Sequence, residues 1–184
     1  MSHWNVSKVE NMAWMFGIQD ASYIDGVRSN IENYDPLSKW NTDSIKDMSY
    51  IFINNNNLYT IDFLASWNTS NLKDISNSFR NTSISNLKPL KDWDVSNVIK
   101  GSLAFYNCKE IKTLEGLEDW NVTNIKEYNS MFADIPSLID ASAINNWKIN
   151  KDATFSKMFI NTPVHPEFTK VEGSWNNGTF IPST

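Results

Sequence analysis

The sequence predicts an α/β solenoid of the leucine-rich-repeat kind, with about six repeats of 26–27 residues, each holding a short parallel strand and a short helix. Three observations predict it. First, Trp4, Trp40, Trp67, Trp93, Trp120 and Trp147 are each followed twelve residues later by a Phe, namely Phe16, Phe52, Phe79, Phe105, Phe132 and Phe159. Second, the columns after Trp are restricted: Asn5, Asn41, Asn68, Asp94 and Asn121 come one residue later, with Lys148 as the exception, and a β-branched residue comes next. Third, apolar residues recur nine, six and three before the next Trp, as in Leu58/Ile61/Leu64, Ile84/Leu87/Leu90 and Ile111/Leu114/Leu117.

Each element follows from these columns. Three residues after Trp stands Ser7, Asp43, Ser70, Ser96, Thr123 or Asn150, all good helix N-caps. Apolar residues then fall as in Val9, Met12, Met15 and Phe16, the face of an amphipathic helix of two to three turns, and Ser7-x-x-Glu10 reads as a capping box. The L-x-x-L rhythm before the next Trp suits one short parallel strand per coil, such as Leu58–Asp62. One such unit cannot bury its own rings, so neighbours must stack on both sides.

The domain organisation is a single repeat solenoid over residues 1–162, with an insertion within 17–36 where the first interval is longer, and a degenerate repeat or cap over 163–184 that contains Trp175. With 41% hydrophobic and 13% aromatic residues, eight of them Trp, the chain is not of the disordered class. A net charge of −5 without a basic run gives nucleic acid no electrostatic footprint. Cys108 stands alone, so no intrachain disulfide is available. No apolar run has the length of a membrane span, and the first residues lack the charged and apolar regions of a signal peptide.

The unit W-[ND]-[VT]-S-N-[VLI]-x-x-M-x-x-M-F, followed by C-x-x-[LI]-x-x-L, resembles the BspA-like leucine-rich repeat family of bacterial surface proteins, also described from mycoplasmas and lactobacilli. The resemblance covers about residues 4–160, and the units at Trp93 and Trp120 are the most similar. It implies a leucine-rich-repeat-like fold, export and surface attachment, and adhesion to host proteins or other cells. The family's Cys column survives only at Cys108, with Gln19, Asn55, Thr82, Ile135 and Thr162 in the other repeats.

Catalytic chemistry finds no foothold. His3 and His165 are the only histidines, neither sits at a metal-ligand spacing, and no nucleophile or phosphate-loop motif occurs. Asp20, Asp25, Glu32 and Asp35 lack the spacing of a calcium loop and read as a solvated acidic stretch. The sequons at Asn5, Asn68 and Asn121 are generated by the repeat itself. No catalytic residue, metal or cofactor is therefore expected.

The strand face is the candidate site. With the residue six before Trp pointing inward, period-two alternation turns its two neighbours outward. Those are Asn33/Asp35, Thr60/Asp62, Asn86/Lys88, Thr113/Glu115 and Asp140/Ser142, joined by Tyr23 and Arg28 of the insertion. The expected function is a non-enzymatic module that engages a protein partner through this face. Two settings are open: an adhesion domain at the bacterial surface or secreted, cut from a longer exported chain, or a small cytoplasmic inhibitor of phage or mobile-element origin that blocks another protein.

Overall fold

Six pairs of rings at one offset have to find partners, and in the computed structural model, which describes residues 4–19, 31 and 33–183, they find one another. Phe16, Phe52, Phe79, Phe105, Phe132 and Phe159 form one continuous column, successive ring centroids lying 5.2–5.9 Å apart (5.5, 5.9, 5.4, 5.4 and 5.2 Å). Trp rings stack beside them, Trp4 on Trp40, Trp40 on Trp67, Trp93 on Trp120 and Trp120 on Trp147, at 6.0–6.4 Å. Trp67, Trp93, Trp120 and Trp147 each donate the indole N–H to the carbonyl of a Leu in the preceding repeat: Leu37, Leu64, Leu90 and Leu117. Burying one such side chain stabilises by roughly 1.5–3 kcal/mol, and each ring pair adds about 0.5–1.5 kcal/mol. The repeats are thereby laid one on another in chain order around a single core.

The helix expected after each Trp does not form. From seven to fourteen residues after Trp, the backbone runs as tight turns whose N–H groups alternate between two acceptors. Met48, Tyr50, Phe52 and Asn54 donate to the carbonyls of Asp74, Ser76, Ser78 and Arg80 in the next repeat, at 2.8–3.0 Å. Ile51, Ile53 and Asn55 donate instead to the residue three before each, Met48, Tyr50 and Phe52. The register repeats at every junction, for example Gly101, Leu103, Phe105 and Asn107 onto Glu127, Asn129, Met131 and Ala133. Residues ten after each Trp, and fourteen after it in repeats two to six, hold positive φ, as in Tyr50 (60°), Asn54 (60°), Asn77 (58°) and Asn81 (58°). A left-handed residue every fourth position is incompatible with an α-helix. An apolar spacing of three and four thus serves this chain of turns as well as it would serve a helix.

The corner chemistry differs too. The Ser, Thr or Asp three after Trp does not cap a helix; the Asn or Asp one after Trp accepts its N–H, as Asn5 does from Ser7, Asn41 from Asp43, Asn68 from Ser70 and Asp94 from Ser96. These are Asx turns, which Asn and Asp form readily. Glu10 closes no capping box and pairs with Lys46 at 2.8 Å.

The expected strand is absent as well. Its place is taken by 3-10 helices at Asp35–Lys39, Asp62–Ser66, Lys88–Leu90 and Ser142–Ile144. The i, i+3 rhythm of L-x-x-L matches a turn that closes between the Leu and the Trp: Trp67 N–H bonds Leu64 O at 3.1 Å and Trp93 N–H bonds Leu90 O at 3.1 Å. Parallel pairing is confined to single bridges, Asn11–Asp47–Asp74–Lys100–Glu127–Thr154 along one line and Thr113–Asp140 on another. The one sheet among the described residues is an antiparallel hairpin, β1 (Gly173–Asn176) and β2 (Thr179–Pro182). Its turn places Asn177 and Gly178 at φ 45° and 70°, the positive values a two-residue hairpin requires. The hairpin lies against the sixth repeat: Phe159 N–H bonds Gly178 O at 2.8 Å, and Trp175 meets Phe159 edge-on at 5.4 Å. The α/β solenoid of the sequence reading is therefore overturned, since the described residues contain no α-helix and no parallel strand. They form a turn-rich repeat protein held by aromatic columns.

Candidate binding surface

The residues six before Trp, here Tyr34, Ile61, Leu87, Leu114 and Ala141, are all buried. Their neighbours Asn33, Asp35, Thr60, Asp62, Asn86, Lys88, Glu115, Asp140 and Ser142 are exposed, and Thr113 is half-buried. The alternation comes from turns and 3-10 starts, not from the pleat of a sheet, so the expected flat strand platform does not exist. Asn33, Asn86 and Asp140 each use a side-chain oxygen to accept the N–H two residues on, from Asp35 (2.7 Å), Lys88 (3.0 Å) and Ser142 (2.8 Å).

The structure brings some of these residues together and leaves others apart. Lys88 Nζ meets Glu115 Oε2 at 2.7 Å, and that hydrogen bond holds Lys88 above the ordinary lysine pKa. Thr113 and Asp140 face each other across a parallel bridge, and the Ser142 hydroxyl and N–H hold the Asp140 carboxyl below the usual carboxylate range. Asn33, Asp35 and Thr60 line a cleft of about 270 Å3 together with Tyr59 and Phe63. Asp140 and Ser142 line another of about 290 Å3 beside Ile139 and His165. Asn86 and Asp62 stand outside these clefts. Tyr23 and Arg28 lie outside the described residues, as do Asp20, Asp25 and Glu32.

Two exposed side chains on this side escaped the sequence reading: Tyr59 is 62% exposed and Ile139 is 71% exposed, both eight residues before a Trp. The signal was present, because an apolar residue one place before the outward column cannot belong to the buried positions nine, six and three before Trp. Tyr is among the residue types enriched as anchors of protein contacts.

Potential reaction chemistry is sparse. Cys108 is fully buried, its Sγ lying 3.0 Å from Phe79 O and 3.5 Å from Thr82 Oγ1, and burial pushes its pKa up to about 12, so it holds a proton and no nucleophilic thiolate. His165 stacks on Trp175 at 4.7 Å and packs the hairpin. Among the described residues no three His, Cys, Asp or Glu side chains gather as metal ligands would, and no helix is long and apolar enough to cross a membrane. The sequon residues Asn5, Asn68 and Asn121 use their amide oxygens in Asx turns.

A family model described as "Mycoplasma protein of unknown function, DUF285" matches residues 1–36, 23–137 and 73–180. No curated protein and no solved structure matches the chain.

Proposed function

The chain belongs to this mycoplasma repeat family, and we propose that it is a non-enzymatic protein-binding module of the BspA-like kind, serving adhesion or interaction at the cell surface. The observation that carries the reading is the outward column itself. Asp35, Asp62, Lys88, Glu115 and Ser142, each five before a Trp, are exposed over five successive repeats, each beside a buried residue that fixes its position. Tyr59 and Ile139 supply apolar anchors on the same side. Mixed charge around a few apolar side chains suits a protein partner, whose approach and register such charges select. The described side chains offer no convergent set of titratable groups for catalysis.

The test is charge reversal on the column. Asp62→Lys and Glu115→Lys are exposed, so the melting temperature is expected to stay within a degree or two of the parent, on the order expected for surface changes. Partner protein captured from a host-cell surface extract by the parent chain is expected to bind each variant roughly tenfold more weakly. Unchanged affinity in both variants would remove this column from the interface.

A further inference from the structure

Another corner of the stack carries a column of four amides and one carboxylate with hydrogen-bonding capacity left over. The residue fourteen after each Trp in repeats two to six is Asn54, Asn81, Asn107, Asp134 and Asn161. Each holds a left-handed backbone, with φ of 60°, 58°, 56°, 57° and 55°, a state Asn and Asp tolerate. Their side chains then bond along the stack. Asn81 Nδ2 donates to Asn54 Oδ1 at 2.5 Å, Asn107 Nδ2 to Asn81 Oδ1 at 2.8 Å, and Asn161 Nδ2 to Asp134 Oδ1 at 2.7 Å. Asn54 Nδ2 ends one run on Ile18 O at 2.9 Å.

A primary amide has two N–H donors and an oxygen with two lone pairs. The ladder uses one donor and one lone pair at Asn54 and at Asn81. Asn54 and Asn81 therefore each keep one donor and one acceptor that no described residue engages, Asn107 keeps a donor and both lone pairs, and Asp134, which accepts from Asn161 and Tyr106, offers acceptors only. The same residues line an open cleft of about 360 Å3 with Asn56, Ser83 and Lys109. A second cleft of about 370 Å3 shares Asn107 and Lys109 and continues to Asp134 and Asn161. Together they make a polar groove along five repeats.

We propose that this groove binds a linear, neutral oligosaccharide, with successive sugar rings on successive rungs. The spare donors and acceptors at Asn54, Asn81 and Asn107 match hydroxyl groups, each of which both donates and accepts, and Asp134 adds an acceptor. The rungs are spaced by the repeat, whose Phe rings are 5.2–5.9 Å apart, close to the advance of one pyranose in an extended chain. A polyanion is disfavoured because Lys109 is offset by Glu110 and Asp134 in the lining. A peptide is disfavoured because the lining is Asn, Asp, Thr, Ser, Lys and Glu side chains, apart from Tyr106 and Pro136 in the second cleft.

The experiment is a nitrogen-15 NMR titration of the whole chain with cellopentaose, cellobiose and a sulfated heparin pentasaccharide. Saturable shifts of the Asn54, Asn81 and Asn107 side-chain amides are expected with cellopentaose. Cellobiose is expected to bind roughly tenfold more weakly, having fewer rungs to fill. Asn81→Gly keeps the left-handed backbone without the amide, and Asn56→Ala removes a lining side chain that makes no hydrogen bond within the described fold; each is expected to weaken cellopentaose roughly fivefold to tenfold. Should Asn81→Gly lose its fold, Asn56→Ala decides alone. Absence of saturable shifts at millimolar cellopentaose, tighter binding of the sulfated sugar, or unchanged affinity in Asn56→Ala overturns the proposal.

Discussion

Trp120 is the position where the aromatic column can be weighed most directly. Its indole is 3% exposed and lies parallel between Trp93 (6.4 Å, 2°) and Trp147 (6.2 Å, 4°), with Phe105 tilted beside it. Its Nε1–H donates to Leu90 O at 2.9 Å. Truncation to Ala removes both stacks and opens a cavity, for a cost of about 3–5 kcal/mol. Trp120→Phe separates the ring from the hydrogen bond. Leu90 O keeps the Trp93 backbone N–H at 3.1 Å, so the lost bond costs about 1 kcal/mol and not the full penalty of an orphaned carbonyl. With the smaller ring included, Trp120→Phe is expected to cost about 1–2 kcal/mol. For a urea slope near ~2 kcal/mol/M, Ala lowers the unfolding midpoint by roughly 2 M and Phe by under about 1 M. Urea titration followed by circular dichroism and by Trp fluorescence reads both. An Ala shift below about 0.5 M would refute a structural column, and equal shifts for Phe and Ala would refute the division between stacking and hydrogen bonding.

Two further predictions concern buried ionisable groups. Cys108, buried and with its pKa pushed up to about 12, is expected to resist a disulfide-exchange reagent in the native protein and to react at the global unfolding rate in urea; fast stoichiometric labelling of the native chain contradicts this. Tyr128 donates its hydroxyl to Val122 O at 2.9 Å, and burial raises its pKa well above the ordinary 10.0. The unfolded phenol ionises near that value while the folded one stays protonated. Its stability contribution is therefore intact below about pH 10 and falls as pH rises further, and Cys108 adds the same trend from its ordinary 9.0. Urea midpoints measured from neutral pH to about pH 11 should decline from the 9–10 range upward. The decline should be shallower in Tyr128→Phe; an identical decline in that variant removes Tyr128 from the account.

The ring columns were legible in the sequence because they depend only on identity and offset. Trp67 and Phe79 recur with five sisters whatever the backbone does between them, and the burial of Ile61, Leu87 and Leu114 follows from the same counting. The backbone was not legible from apolar spacing, since three-and-four steps fit a helix and a train of turns equally. A discriminating clue stood at the position fourteen after Trp, where Asn54, Asn81, Asn107 and Asn161 are too regular for a helix interior and well suited to positive φ. Hydropathy alone places Tyr59 and Ile139 inside, whereas their position eight before Trp, between the buried places nine and six before it, turns them out.

The hydrogen bonds that join the turn segments also have a direction. At each junction four N–H groups of one repeat point to carbonyls of the next, from Met12 onto Asp47 through to Asp134 onto Ile160, and outnumber those that run back, such as Lys46 and Asp47 onto Glu10, so the net direction is toward the later repeat. Peptide dipoles aligned in this way add along an axis as they do in an α-helix, so the stack has electrical polarity, with its negative pole toward the first repeat. Asn11, Ala13, Met15 and Gly17 accept no bond from a described backbone N–H, whereas at the opposite pole the hairpin's Gly178 carbonyl receives the Phe159 N–H. Two first-repeat faces brought together would set carbonyl against carbonyl. The array is a vector, and any unit added to it has to point the same way.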